Sequence, residues 1–300
     1  MKDETKIGSR LGLGTAQFGM DYGISNHQGQ NSIDEVKQIL NKAQTLGINK
    51  LDTSPNYGNS EKVLGKCSAG KSGFNIVTKT PVFEDKIISQ NSADLLIEYV
   101  ERSLEQIGCN KLFGLLVHHA ENIIAPGGEF LIKALLEAKS KGIVEKIGVS
   151  VYNATQIDSI LNIFEPDIIQ LPINLFDQRL INSGHLTKLK KQHIEIHARS
   201  IFLQGLLLMK NERLPEFFEP IKKHINEYYL FLEDNGLSPQ SAALNFAKNI
   251  TEIDCIILGV NSMDQLSENV AAFETEVDID FTKFAISDEK IINPALWELS

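Results

Sequence analysis

Short apolar runs rich in Ile, Val and Leu alternate along the chain with longer stretches of helical periodicity. Eight of these runs read as strands: Leu11 to Phe18, Lys50 to Ser54, Phe74 to Lys79, Leu112 to His118, Lys146 to Val151, Ile168 to Ile173, Glu195 to Ser200 and Cys255 to Val260. The segments between them carry helix signals. Ser32 with Glu35 and Ser262 with Gln265 have the capping-box spacing, in which a hydroxyl and the side chain three residues on satisfy free backbone donors. Asn153 with Gln156 is a weaker variant, and Ser238 before Pro239 places a cap ahead of a proline at the first helical position. Gly47, Gly108 and Gly142 follow apolar periodic runs, where a helix end favours glycine.

Strand then helix, eight times over, predicts parallel strands, because a parallel neighbour is reached only through a crossover. Eight such units predict an α/β fold, a single-domain (β/α)8 TIM barrel spanning residues 1–300. An open doubly wound sheet would need a G-x-G-x-x-G turn opening a helix after the first strand. Gly12, Gly14 and Gly19 instead sit within and after an extended run. No linker or low-complexity tract divides the chain. The span Lys210 to Lys248 is longer than the other connections and predicts an added helix or a lid over the active face.

Composition narrows the class without changing the fold. With 42% hydrophobic and 23% charged residues the chain has the make-up of an ordinary globular protein. A formal net charge of -10 argues against nucleic-acid or anionic-membrane partners for the chain as a whole. Cys67, Cys109 and Cys255 are odd in number, far apart and outside any metal-binding spacing, so they read as reduced thiols. The charged start MKDETKIGSR lacks an apolar signal region and no stretch is long enough to span a bilayer, which makes the expected location cytoplasmic.

In a barrel of this type the chemistry sits at the carboxyl ends of the strands. Asp52 closes the second strand, Tyr57 follows in the adjoining loop, Lys79 ends the third and His118 ends the fourth. Singly, each has a structural explanation as a turn cap, a packed ring, a solvated strand end or a core histidine. Together they form a proton-transfer site. An ammonium beside a phenol lowers the phenol pKa and makes it a better acid near neutrality, an aspartate keeps that ammonium charged and in place, and a neutral imidazole aligns a carbonyl oxygen. Such a group protonates an oxygen as charge develops on it, and a nicotinamide hydride is the missing partner for the carbon.

At these residues the chain resembles the aldo-keto reductases, over almost its whole length. The matching segments are LGLGTAQFG, LDTSPNYGNSEKVLG, VTKT, LFGLLVHHA, GVSVYN, DIIQLPINLFDQ and ILGVNSMDQLSENV, and the Asp52 to Tyr57 spacing with Gly58 and Glu61 is the most specific of them. The resemblance implies reduction of an aldehyde or ketone by NADPH, with Tyr57 as general acid and base, Lys79 and Asp52 tuning it and His118 orienting the carbonyl. It also implies cofactor contacts at Gly14 and Thr15, at Ser150 and Gln170 for the carboxamide, and at Arg199, Ser200, Leu203 and Gly205 towards the ring and pyrophosphate. Further contacts are implied at Gly259, Asn261, Ser262, Gln265 and Asn269.

The chain departs from the family pattern at several of these points. Val151 replaces the asparagine that usually follows the serine at position 150, and Arg199 stands where many members stack a tyrosine on the nicotinamide. From Ile257 to Asn269 there is no Lys or Arg to grip a 2'-phosphate, and Asp264 and Glu268 oppose one. NADP(H) is therefore expected on family grounds, with weak discrimination or a preference for NAD(H) as the alternative. HARSIFLQGLL together with DYG is similar to a bacterial subgroup often found with surface-polysaccharide pathways, which points to a small-molecule carbonyl of sugar type.

Three other readings use the same residues. Lys79 as a Schiff-base lysine would need to be uncharged, which Asp52 opposes. A metal at His118, His119 and Glu121 is disfavoured because adjacent strand residues face opposite ways. A cofactor-binding regulatory subunit with little turnover is the third. The aromatics Phe217, Phe218, Tyr228, Tyr229 and Phe231 read as barrel packing or as a substrate mouth, and the tail with Trp297 is similar to tails that line the mouth in relatives.

Overall fold

The computed structural model describes residues 10–299, and most of the charged amino-terminal start lies outside the described residues. Eight parallel strands close into a barrel in chain order, β1 (Leu11–Gly14), β2 (Lys50–Asp52), β3 (Asn75–Lys79), β4 (Leu112–Val117), β5 (Val144–Ser150), β6 (Ile168–Pro172), β7 (Glu195–Arg199) and β8 (Cys255–Gly259), with β8 pairing back to β1. All eight predicted runs are strands, and most end one or two residues earlier than the apolar run. The first ends four residues early, because Thr15 starts a short helix, Ala16–Gly19, that turns the chain across the barrel mouth.

The crossover helices are α1 (Ile33–Thr45), α2 (Ser60–Lys66), α3 (Gln90–Ile107), α4 (Glu129–Ser140), α5 (Ala154–Leu161) and α6 (His185–Lys191). They are followed by α7 (Lys222–Asp234), α8 (Pro239–Lys248) and α9 (Met263–Glu274). Ser32 and Glu35 form the reciprocal box at α1, and Asn153 and Gln156 do the same at α5. At α9 only half the box forms, because Gln265 Oε1 turns back to the amide of Asn261 at 2.8 Å while Ser262 Oγ accepts the Gln265 amide.

Alternation along each strand sorts the side chains. Leu13, Leu51, Ile76, Leu115, Val149, Leu171, Ile196 and Leu258 face the helices and belong to the main core, each 2% exposed or less. Val77, Leu116 and Ile168 form a separate small cluster on the other side, within the barrel. Above that cluster, on the same strands, come Lys79 and Gln170. The barrel interior is therefore apolar at mid-height and polar at the carboxyl end, where a site belongs.

The Lys210–Lys248 span does contain an added helix, α7, but not a lid. Tyr228 of α7 is fully buried, edge-on to Phe176 at 5.5 Å and to Phe284 at 5.5 Å. Phe218 packs against Trp297 at 4.9 Å, and the Trp297 indole donates to the Ile291 carbonyl at 2.9 Å. These aromatics bury one another against the barrel wall, since an apolar ring gains more from a dry partner than from a wet mouth. Neither they nor Trp297 lines the cleft described next.

Candidate active site

A cleft of about 380 Å³ opens at the carboxyl ends of the strands, and Asp52, Tyr57, Lys79 and His118 all line it. Lys79 Nζ donates to both oxygens of Asp52 at 2.8 Å and to the Thr53 carbonyl at 3.0 Å. The pair is dry, with the lysine side chain 1% exposed and the aspartate 5%. Asp52 Oδ1 also accepts from Gln170 Nε2 at 2.7 Å. The ammonium lies 4.9 Å from the centre of the Tyr57 ring, and the Tyr57 and His118 rings meet edge to face at 6.1 Å.

The loop carrying Tyr57 is clamped from behind. A Cβ on Gly19 would lie 1.9 Å from the Tyr57 carbonyl oxygen, and one on Gly58, whose φ is +59°, would lie 2.3 Å from the Gly19 carbonyl oxygen. Only two glycines allow this approach of backbone to backbone. The first residues of α2 complete the clamp. Ser60 Oγ lies 2.8 Å from Thr15 Oγ1 and 3.2 Å from Thr53 Oγ1, joining the ends of β1 and β2. Glu61 is buried and accepts from Thr78 Oγ1 at 2.7 Å and Ser103 Oγ at 3.1 Å, joining β3 to α3 directly behind Lys79.

The electrostatics correct one sequence expectation. Burial, with the Asp52 carboxylate beside it, pushes the Tyr57 phenol well above its ordinary value of 10 rather than lowering it. Lys79 spends its charge on Asp52, so from the phenol the pair is close to neutral. Burial pulls Lys79 itself down, and Asp52 opposes that pull. For His118, burial and then the Lys79 charge hold the imidazole neutral, at about 2. At neutral pH the mouth thus holds a protonated phenol and a neutral imidazole side by side.

Of the positions matched to cofactor contacts, Gly14, Ser150, Gln170, Arg199, Ser200, Gly205, Gly259, Asn261, Gln265 and Asn269 line the cleft. Three do not. Thr15 is buried with its hydroxyl on the Asp52 carbonyl at 3.1 Å, Leu203 is buried in the core, and Ser262 caps α9. Arg199 stacks on Tyr152, its Cζ 4.3 Å from the ring centre, and donates to the Val151 carbonyl at 3.2 Å. The loop after β7 holds Ser200, Leu203 and Gln204 at positive φ of 62°, 47° and 51° and is tied to the loop after β1 by the Ile24 amide, 3.0 Å from the Gln204 carbonyl. Tyr22, Tyr152 and Gln204 also line the cleft. They stand in loops, where neither periodicity nor spacing marks them. Ser54, at hydrogen-bond distance from His118, does carry a signal: it lies two residues after Asp52, the strand period.

The barrel mouth sets a buried lysine–aspartate pair beneath a phenol and a neutral imidazole, and the chain's family match makes the class an oxidoreductase. Residues 10–290 match the Aldo/keto reductase family, and the chain belongs to that family of NAD(P)H-dependent enzymes. It is 24% identical to L-galactose dehydrogenase of Arabidopsis thaliana over 95% of this chain and 91% of the relative. It is 23% identical to D-arabinose 1-dehydrogenase of Saccharomyces cerevisiae over 77% of this chain and 74% of the relative. The fold is also that of the aldo-keto reductase AKR11C1 from Bacillus halodurans in its holo form, with a TM-score of 0.72, 20% identity, and 96% of this chain and 94% of that one covered. Among the described residues no helix is long and apolar enough to cross a membrane.

Proposed function

We propose that this protein interconverts a carbonyl and an alcohol on a sugar-type small molecule, with a nicotinamide dinucleotide as hydride partner. The observation that carries the proposal is the dry Asp52–Lys79 pair beside Tyr57 and His118 in the cleft wall. Tyr57 Oη gives its proton to the substrate oxygen as negative charge develops there, and takes it back in the reverse direction. Lys79, held charged by Asp52 at 4.9 Å from the centre of the Tyr57 ring, offsets the repulsion of the Asp52 carboxylate on the phenolate left behind. His118 donates a hydrogen bond that aligns the same oxygen.

The cleft also fits the cofactor. Gln170 Oε1, Arg199 Nε and Asn261 Oδ1 are buried polar atoms without partners among the described residues, distributed from the end of β6 to the loop after β8. Ser150 and Gln170 would hold the carboxamide, Arg199, Ser200 and Gly205 the ring and pyrophosphate, and Gly14, Gly259, Asn261, Gln265 and Asn269 the adenosine half. When bound, the cofactor supplies the hydride for the carbonyl carbon. Glu268 lines the cleft and no Lys or Arg lies between Ile257 and Asn269, so NADP(H) and NAD(H) bind with little discrimination or NAD(H) binds better. Parallel titrations test this, and a preference for NADPH of about a hundredfold, 2.7 kcal/mol, overturns it.

The sugar-type substrate is supported by the names of the two sequence relatives and by Tyr22, Tyr152, Gln204 and Gln240, which offer hydroxyl and amide groups to a polyhydroxylated ligand. A cytoplasmic location belongs to the same proposal and is supported by three free thiols. Tyr57→Phe is the decisive variant. A reductase loses orders of magnitude in kcat while its cofactor Kd stays put, whereas a cofactor-binding subunit without turnover shows no catalytic loss at all.

A further inference from the structure

We infer that Ser54, seconded by Asn56, is a positioning residue that fixes which nitrogen of His118 carries the proton. Ser54 Oγ lies 3.2 Å from His118 Nδ1, and the Asn56 side-chain amide lies 3.5 Å from the same nitrogen. Ser54 is 1% exposed, and its hydroxyl makes one further contact, accepting the Asn56 backbone N–H at 3.1 Å.

The direction of the serine–histidine bond follows from donors and acceptors. Were Nδ1 protonated, it would donate to Ser54 Oγ, which would then accept twice, and the buried serine proton would have no acceptor among the described residues. A buried unsatisfied donor costs about 1–3 kcal/mol. With Nδ1 bare, the serine proton goes to its one lone pair, the serine oxygen takes the Asn56 backbone amide, and the Asn56 side-chain N–H shares the same lone pair from a longer 3.5 Å. The neutral ring therefore carries its proton on Nε2.

The backbone supports the same placement from below, where the His118 amide donates to Thr80 Oγ1 at 3.2 Å. His118 is then gripped at its amide and at Nδ1, leaving Nε2–H as its one donor without a partner among the described residues. Ser54 can reach Nδ1 because it follows Asp52 by two positions at the end of β2. The segment that carries the proton donor thus also sets the tautomer of the orienting histidine. The carbonyl oxygen as the target of Nε2–H rests on the proposed function. The tautomer itself does not.

The test is nitrogen-15 NMR of protein labelled at histidine, with His118 assigned by its loss in His118→Gln. The wild type is expected to show a bare Nδ1 and a protonated Nε2. The double variant Ser54→Ala with Asn56→Ala is expected to move His118 to a mixture or to Nδ1–H, lowering kcat by about fivefold, the worth of one neutral hydrogen bond, with cofactor Kd unchanged. Ser54→Thr, which keeps the hydroxyl, is expected to restore both. A protonated Nδ1 in the wild type, or an unchanged His118 spectrum in the double variant, overturns the inference. A correct spectrum without carbonyl turnover would overturn the proposed function instead.

Discussion

Asp52→Asn removes one charge from a pair whose other half has nowhere to go. Lys79 Nζ is fully enclosed, with both Asp52 oxygens at 2.8 Å and, among the described residues, only the Thr53 carbonyl, at 3.0 Å, as a further partner. Breaking a buried pair from one side costs about 3–5 kcal/mol. Titration sets a ceiling, because the stranded ammonium can shed its proton, which from an ordinary pKa of 10.5 costs about 4.8 kcal/mol at pH 7. The asparagine keeps one acceptor, which places the expected loss near the lower end, about 3 kcal/mol. The sign of the pH dependence follows. In the folded variant Lys79 is deprotonated below its unfolded value, so the unfolded chain binds more protons and the variant gains up to about 1.4 kcal/mol per pH unit towards 10.5. Urea unfolding of wild type and variant at about pH 7 and pH 9 is expected to show the gap narrowing. Asp52→Asn combined with Lys79→Met removes both charges and is expected to recover most of the loss. A loss under about 1 kcal/mol, or a gap indifferent to pH, refutes the account of a pair held dry and interdependent.

Three further outcomes are expected. The raised Tyr57 phenol and the His118 imidazole held near 2 predict carbonyl reduction that is flat between about pH 6 and 9, and alcohol oxidation that climbs with pH as phenolate becomes available. A reduction limb near 6.5 in the pH–rate profile would contradict the neutral, buried histidine. Gly19→Ala would put a Cβ 1.9 Å from the Tyr57 carbonyl oxygen and so shift the proton donor; steady-state kinetics should show kcat down by roughly a hundredfold with cofactor Kd little changed. Trp297→Ala removes a ring packed 4.9 Å from Phe218, outside the cleft, and should cost roughly 3 kcal/mol in denaturant unfolding while leaving the carbonyl KM as it was.

Strand order, barrel closure and the gathering of Asp52, Tyr57, Lys79 and His118 at one mouth were legible in the chain because each rests on a local signal. The alternation of apolar runs fixes Leu13, Leu51 and Leu171 against the helices, and the strand-end position exposes Asp52 and Lys79 to the mouth. Thr15 was misplaced because the apolar run continues through Phe18 while the backbone has already turned into a helix, carrying the Thr15 hydroxyl to the Asp52 carbonyl. Tyr22 and Tyr152 were missed because loops bring them to the cleft, and their approach is set by distant partners such as Gln204 and Arg199. The phenol shift was misjudged for a related reason. Sequence places Lys79 near Tyr57, but only the 2.8 Å contacts to Asp52 show that its charge is already spent.

The junction at Ser60 and Glu61 bears on how this protein can diversify. Two adjacent residues at one helix start fasten the ends of β1, β2 and β3 and the flank of α3, so Tyr57 and Lys79 stand on one fastened block. The cleft residues Tyr22, Tyr152 and Gln204 lie on loops outside that block. Changes there leave the hydrogen bonds of the block intact, so the cleft walls are free to vary stepwise while Asp52, Tyr57 and Lys79 keep their places.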